Sequence, residues 1–506
     1  MKPTKKILYF LSFFSLIIYI FGFLFSYDYL ISDLSSKVNR FSSIRSIAEY
    51  GLMYISFLVF CVFLYKNKYT KIFSFILLFL VSINSFISYC CYFVYGSGFN
   101  IGMAVSVLDS NIAEAMNMVT SYIAPLCIAL VMLGINIILV IKCSKYLTNK
   151  YLKLFSIIWI VLPGIFLLKH HFIGAKGGSP MVKNTFYHFR DFKGAYELQK
   201  RMNGVKDNVV NYTYKKSHEG IENLIVLIGE SGRRQNMSLY GYSRNTTPEQ
   251  LKEKENMYIF KDANSPAGIT NLSIPLTMSL IEPDHFENDF EKMSDNVINL
   301  ANNYGYNTTW LSTQNNIKGV TEIASFSKNK MWINGYDVEI LPQLKETLQK
   351  KGKKLILLHI NGSHPNPCLR YPDNETYFNE DNEFDCYDNS IHYTDRLIGQ
   401  IFKELKGKNA ALVYFTDHGL KQNDGKLIHT DSKESTKVPF YVWFARKEQQ
   451  NSYNFTKPTD KPVSIMYLYP LVMNLIGLDE VKLDKIEENK YLRLNHSSVL
   501  YKDLND

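Results

Sequence analysis

The first 170 residues of this 506-residue chain are saturated with Phe, Ile, Leu and Tyr, and they carry five apolar runs in succession. The runs are Ile7–Tyr27, Gly51–Tyr65, Ile72–Gly96, Tyr122–Ile141 and Leu152–Leu168. In a bilayer every backbone N–H and C=O must find its partner within the chain, so such runs read as membrane-spanning helices. One run alone would equally suit a buried core helix or a signal peptide; five in a row exclude both. The second and fifth are short for a crossing of roughly 20 residues and are expected to extend past the apolar stretch. The first lacks a small-residue cleavage site, so it is expected to stay as an anchor.

Basic residues give the orientation. Lys2, Lys5 and Lys6 precede the first run, and Lys66, Lys68 and Lys71 surround the second connection. Lys142, Lys145, Lys150 and Lys153 crowd the fourth, whereas Ser97–Ser121 has no Lys or Arg. Lys37, Arg40 and Arg45 dilute the signal in the first connection. The positive-inside rule puts the N-terminus in the cytoplasm, and an odd number of spans puts everything after Leu168 outside. Between membrane and soluble part, Lys176–Met202 mixes aromatic and basic residues (Phe186, Tyr187, Phe189, Arg190, Phe192, Lys193), as an interfacial helix does. The expected division is 1–170 membrane, 171–217 bridging linker and 218–506 soluble catalytic domain.

A net charge of +9 is modest and spread out, with no basic, aromatic-interleaved stripe, so no nucleic-acid partner is expected. Cys61, Cys90, Cys91 and Cys127 fall within spans and Cys143 sits at a span's end, where small apolar packing accounts for them. Cys368 and Cys386 stand alone in the soluble half, and in an oxidising compartment they are expected to pair.

The soluble half has three apolar runs of strand length that each stop at metal-ligand chemistry. LIVLIGE (Leu224–Glu230) ends on Glu230, KLILLHI (Lys354–Ile360) runs into His364, and ALVYFTDHG (Ala411–Gly419) ends on Asp417 and His418. Such runs read as buried parallel strands of an α/β sheet, which binds its ligands at the carboxyl ends of the strands. The mixed oxygen and nitrogen donors suit zinc, with manganese as the alternative. Between the first two strands, Ser265–Pro275 is a Gly/Pro-punctuated turn leading into a helix-like stretch. A hydroxyl at a helix N-terminus beside a divalent cation is an activated nucleophile. Thr270 and Ser273 both qualify, and an ordinary N-cap would explain either.

These residues resemble a family: the membrane-anchored phosphoethanolamine transferases of Gram-negative bacteria, within the alkaline-phosphatase and sulfatase superfamily. The motifs are GESGRRQNMSLYGYSRNTTP (Gly229–Pro248), GITNLSIP (Gly268–Pro275), WLSTQNNIKGV (Trp310–Val320), NGSHPNPCLRYP (Asn361–Pro372), YDNSIHYTD (Tyr387–Asp395) and FTDHG (Phe415–Gly419). Ser110–Ala115 is similar to the family's loop signature, and the resemblance covers nearly the whole chain. It implies a five-helix membrane domain followed by an α/β domain with a mostly parallel sheet, held in the inner membrane and facing the periplasm. Glu230, Asp417 and His418 would hold one tightly bound zinc, and Thr270, five residues before Pro275, takes the nucleophile position and completes the shell. His364 and His429 match histidines around the transferred group, where they hold a second zinc or donate to phosphate. Gln314 and Lys318 match contacts to phosphoethanolamine.

The implied reaction moves phosphoethanolamine from phosphatidylethanolamine, through Thr270, to a lipopolysaccharide or lipooligosaccharide acceptor, in a monomer. Two departures stand out. Pro266 and Leu276 replace a cysteine pair common in the lipid A branch, and Leu420 replaces a frequent Glu after DHG, which leaves a second metal open. The rival readings are a lipoteichoic-acid-synthase-like glycerophosphotransferase and a catalytically dead sensor on a phosphatase fold. A sulfatase lacks support, because Ser265-Pro266-Ala267 does not make the Cys/Ser-x-Pro-x-Arg that a formylglycine needs.

Overall fold

The computed structural model describes residues 3–25, 40–95, 112–146 and 211–506, apart from 315–319, 380–381, 424–425 and 454–461, plus scattered positions between 99 and 210. The chain divides into two compact units, residues 1–100 with 115–193 and residues 101–114 with 194–506.

The first unit is helical. Helices α1 (Pro3–Phe25), α2 (Arg40–Lys66), α3 (Lys71–Tyr95) and α4 (Ile112–Cys143) carry the first four apolar runs. Two stretches, Lys71–Phe93 and Val119–Cys143, are long and apolar enough to cross a bilayer; Lys6–Gly22 and Tyr50–Lys66 are shorter apolar stretches. The second run does extend, since α2 begins well before Gly51. The fifth run and most of the 176–202 segment lie outside the described residues. Large apolar side chains such as Phe10, Ile72 and Leu130 point outwards, while polar groups point in. The hydroxyls of Ser15 and Tyr54 lie 2.6 and 2.7 Å from Asn136 Oδ1, so three helices share one buried polar contact. That is how apolar helices gain a specific register without a hydrophobic driving force between them.

The second unit is built on a seven-stranded sheet. Its strands are β1 (Asn223–Gly229), β2 (Met257–Ile259), β3 (Asn307–Ser312), β4 (Asn329–Trp332), β5 (Lys354–His359), β6 (Ala410–Thr416) and β7 (Phe440–Phe444). Their order is β2-β7-β6-β1-β5-β3-β4. β6, β1, β5, β3 and β4 run parallel, and β7 is antiparallel to both β6 and β2. β1, β5 and β6 are buried along their whole length, which explains runs of Leu, Ile and Val without alternation.

Crossover helices cover the sheet. α6 (Leu341–Gln349) and α7 (Glu383–Leu405) set Leu341, Leu344, Ile398, Ile401 and Leu405 into one core with Ile225, Leu227, Ile356 and Leu412. Each such side chain contributes about 1.5–3 kcal/mol. α7 starts where Asn382 Oδ1 accepts from the Phe384 and Asp385 N–H groups. Cys386 on α7 is disulfide-bonded to Cys368, tying the loop after β5 to the helix.

Register decides what meets at the carboxyl ends. Ile228 is paired with His359 on β5, and Gly229 with Thr416 on β6. Glu230 and Asp417 therefore leave neighbouring strands side by side. Gly362, in the loop after β5, has φ +51°, and a Cβ there would sit 2.8 Å from Glu230 O and 2.9 Å from Glu230 N. Gly362→Ala is expected to cost about 1–3 kcal/mol for the φ alone, plus displacement of Glu230. The thermal midpoint of the full chain should fall; an unchanged midpoint would mean the loop does not pack as described.

Candidate active site

Glu230 follows β1 directly and is fixed from three sides. Ser231, held at φ +56°, donates from Oγ to Glu230 Oε1 at 2.6 Å. Gln314 Nε2 donates to Glu230 Oε2 at 3.2 Å and to Ile360 O at 2.7 Å, so it spans β3 and β5. After β6, Asp417 Oδ1 accepts from Ser231 N at 3.1 Å and from His418 N at 2.8 Å. Asp417 Oδ2 is buried with no hydrogen-bond partner. His418 Nδ1 lies 3.0 Å from Gly419 O and donates to it, which leaves Nε2 facing the two carboxylates. That nitrogen is 3.4 Å from Glu230 Oε1 and 3.3 Å from Asp417 Oδ2.

The fourth group comes from α5 (Thr270–Met278), of which Thr270 is the first residue. Its Oγ1 donates to Glu230 Oε2 at 2.9 Å and lies 3.3 Å from His418 Nε2. Ser273, the other hydroxyl candidate, is fully buried and spends its proton on Asp417 O at 2.5 Å. The structure separates the two: Thr270 opens towards the acids and the imidazole, whereas Ser273 packs the helix against the β6 loop.

Burial opposes charge on both acids, but the outcomes differ. Against that burial, His418, the Ser231 hydrogen bond and, once they are protonated in acid, His364 and His429 hold Glu230 well below the usual carboxylate range. Asp417 is pushed up to about 7 by burial and then by the neighbouring Glu230. Burial would lower His418, yet Asp417 and Glu230 raise it overall. The centre therefore demands positive charge, from a proton or from a cation. Bonds of about 2.0–2.1 Å to a tetrahedral ion place neighbouring ligand atoms roughly 3.3–3.4 Å apart. The His418 Nε2 separations from Thr270, Glu230 and Asp417 (3.3, 3.4 and 3.3 Å) match those edges. Glu230, Thr270, Asp417 and His418 thus could hold zinc, and the unpartnered Asp417 oxygen fits a ligand role.

His429 and His364 border this cluster. Glu230, His418 and His429 bring one ligand atom each within 4.8 Å of one another, and the His418 and His429 rings meet edge-on at 4.9 Å. Burial is the leading cause that pushes His429 down to about 3 and His364 to about 4, so both rings are neutral near pH 7. Arg370 Nε donates to His364 O at 3.1 Å and Nη2 lies 3.3 Å from its Nδ1. Lys318 lies outside the described residues. Gln314, expected to touch phosphoethanolamine, has its amide N–H₂ engaged with Glu230 and Ile360. Leu420, in place of an acid, is buried in the core and offers no ligand.

Several supports had no role assigned from the sequence. Asp337 receives the Asn361 and Gly362 N–H groups, both at 2.9 Å, and the Thr313 hydroxyl at 2.5 Å, which fixes the loop that carries His364. Tyr387 OH donates to Ser231 O at 2.6 Å and accepts from Arg233 N at 2.8 Å. Lys485 donates to the carbonyls of Leu276, Ser279 and Ile281 at the far end of α5. His359 ends β5 as a buried ring that burial pushes down to about 4.

A parallel sheet that gathers two acids, a histidine and a threonine at its carboxyl edge defines a sulfatase-type catalytic domain. Residues 222–478 match the Sulfatase family, and residues 1–176 match the Transferase YhbX N-terminal domain. YhbX of Escherichia coli strain K12 is 34% identical over 386 residues, 71% of this chain and 70% of that protein. Phosphoethanolamine transferase EptC of the same strain is 24% identical over 515 residues, 87% of this chain and 86% of that protein. Among solved structures, the integral membrane lipooligosaccharide phosphoethanolamine transferase A of Neisseria meningitidis superposes with a TM-score of 0.65 at 18% identity, covering 97% and 99% of the two chains. The C-terminal periplasmic domain of Escherichia coli EptC in complex with Zn gives 0.52 at 23% identity, over 58% of this chain and 96% of that one. The chain belongs to the membrane-anchored phosphoethanolamine transferase family of the alkaline-phosphatase and sulfatase superfamily. It is a transferase of that family with an N-terminal membrane part.

Removing Asp417 removes the oxygen with no other partner, so Asp417→Ala should lose most of the zinc that the full chain retains through gel filtration. His364→Ala should keep that zinc. Elemental analysis finding full occupancy in Asp417→Ala would place the metal elsewhere. A second expectation follows from the buried neutral rings. His359, His364 and His429 have folded values of about 4, about 4 and about 3. Unfolded imidazoles bind protons below about 6.5, so stability is lost as pH falls from about 6.5 towards about 4. The thermal midpoint of metal-free protein should drop across that window, and a flat midpoint would contradict burial of these rings.

Proposed function

We propose that this protein transfers phosphoethanolamine from phosphatidylethanolamine to a lipopolysaccharide or lipooligosaccharide acceptor, through a covalent phospho-threonine at a zinc site. The observation that carries the reading is the Thr270 hydroxyl at a helix N-terminus, 2.9 Å from Glu230 Oε2 and 3.3 Å from His418 Nε2. The donor and the acceptor class carry over from the family resemblance.

In the first half-reaction Thr270 Oγ attacks phosphorus and the bond to the glycerol oxygen breaks. The proton lost by Thr270 is balanced by the one gained by the departing diacylglycerol. In the second, an acceptor hydroxyl or phosphate oxygen attacks, the P–Oγ bond breaks and Thr270 regains a proton. Bound to Glu230, Asp417, His418 and Thr270, a zinc ion would lower the hydroxyl pKa and offset charge on the phosphoryl oxygens. The N-terminus of α5 adds the positive end of a helix dipole. His364 and His429, neutral near pH 7, take and return protons or donate to the phosphoryl oxygens. Lys318 would add a positive charge there.

The proposed setting is the bacterial inner membrane, with five spans, a bridging segment at 171–217 and the 218–506 domain in the periplasm. A lipid donor gives the anchor its purpose, because the site must stay within reach of the bilayer.

Full chain given phosphatidylethanolamine without acceptor should release diacylglycerol and gain one phosphoethanolamine mass, mapped to Thr270. Thr270→Ala should lose transfer by at least about 10³-fold while keeping its fold. An adduct on Ser273 would move the nucleophile, and full activity in Thr270→Ala would reject the covalent scheme. Turnover of phosphatidylglycerol alone would make the protein a glycerophosphotransferase.

A further inference from the structure

From residue 211 onwards, the large hydrophobic side chains that the described residues leave exposed are Leu251, Met331, Trp332, Tyr336, Leu369 and Tyr377. All but Leu251 fall in two segments at the carboxyl end of the sheet. Met331 and Trp332 close the edge strand β4, all four of whose residues are exposed, and Tyr336 follows in the next turn. Leu369 and Tyr377 lie in the loop after β5, the same loop that carries His364.

The two segments meet over α7. The Tyr336 ring packs edge-on to Tyr393 at 6.3 Å, and Tyr377 stacks on His392 at 4.3 Å. Leu369 adjoins Cys368, which is bonded to Cys386 of α7. Tyr336, Leu369 and Tyr377 are therefore exposed apolar side chains held on a braced frame, with Met331 and Trp332 on the edge strand that leads into Tyr336. Exposed apolar side chains gathered in this way mark interaction sites.

We propose that this rim, Met331, Trp332, Tyr336, Leu369 and Tyr377, docks the catalytic domain onto the phospholipid bilayer. Trp and Tyr are the side chains that settle at the membrane–water interface, with an apolar body and a polar tip. The surface is spread over a strand edge and two loops, which suits a broad, fluid partner better than a peptide that needs a groove. The chain supplies the bilayer itself, because Lys71–Phe93 and Val119–Cys143 are long and apolar enough to cross one. Tethering raises the effective concentration of that surface, so weak docking is enough. The inference rests on membrane anchoring and not on the identity of the donor. It turns the carboxyl end of the sheet, with Thr270, towards the lipid, so a headgroup reaches the site while its tails stay in the membrane.

The test uses the full chain in vesicles of phosphatidylethanolamine and phosphatidylglycerol, with p-benzoylphenylalanine placed at 332, 336 or 369, and at 251 as control. Irradiation should add lipid masses at the three rim positions about fivefold above position 251, which precedes the opposite edge strand, β2. Equal labelling everywhere, no labelling, or cross-links mainly to a second copy would overturn the proposal. In parallel, Trp332→Ser with Tyr336→Ser and Leu369→Ser should raise the apparent KM for vesicle phosphatidylethanolamine about fivefold and spare turnover of a water-soluble short-chain analogue. Equal loss on both substrates would mean a structural defect and sink the docking role. Absence of transfer in wild type would defeat the transferase reading, while the cross-links would still decide docking.

Discussion

Two carboxylates buried side by side set the terms for the rest of the catalytic unit. Glu230 and Asp417 are 1% and 0% exposed and leave adjacent central strands, β1 and β6. Taking each such ion out of water costs several kcal/mol, and like charges at this range raise the cost. Apolar residues of similar volume would give a more stable sheet edge. The pair is tolerable only with positive charge between its members, and the side chains around it are arranged for that. Ser231 donates to the Glu230 oxygen that faces His418 Nε2, Gln314 shares the other Glu230 oxygen with Thr270, and the His418 N–H donates to the Asp417 oxygen that faces away from Nε2. One Asp417 oxygen is left without a donor, and one imidazole nitrogen is aimed at both acids.

That arrangement was legible where it depends on strand ends. The unbroken apolar runs Leu224–Gly229, Lys354–Ile360 and Ala411–Thr416 declare fully buried parallel strands, and a parallel strand delivers its next residue to one common edge. Glu230, Asp417 and His418 follow from that rule alone. Thr270 against Ser273 was not decided by the residues themselves, because helix-turn chemistry suits both; the family resemblance favours Thr270, and Ser273 donates its proton to Asp417 O. The membrane part was legible as apolar runs, and four of the five lie on helices. Apolar length understated α2, whose first turns are polar.

What stayed hidden has no local signature. Asp337 looks like any loop acid until it is seen gathering the Asn361 and Gly362 N–H groups. Gln314 sits in a motif read as substrate contact, yet its amide braces Glu230 across two strands. The left-handed backbones at Ser231 and Gly362 follow from how tightly two strand-end loops cross, and such crowding is a property of the packed sheet. Cys368 and Cys386 were expected to pair and do, but nothing in the sequence showed that the bond would tether the His364 loop to α7.

The helix that carries Thr270 shows why such supports matter. α5 is nine residues long, has Pro275 inside it and no side-chain cap at its start, so it would not persist alone. Its position comes from its surroundings. Leu272, Ile274, Leu276 and Met278 are buried, Ser273 ties its first turn to the β6 loop, and Lys485 satisfies carbonyls at its end. That ammonium is itself buried, and its burial pushes it down to about 7, so the end of the helix is closed at a real electrostatic cost. On a helix held this way the nucleophile proposed for Thr270 would have little freedom to lose on reaching a transition state, which is the advantage of fixing it before the substrate arrives. The same logic governs the acids: their desolvation is met during folding, so the reaction need not meet it at each turnover.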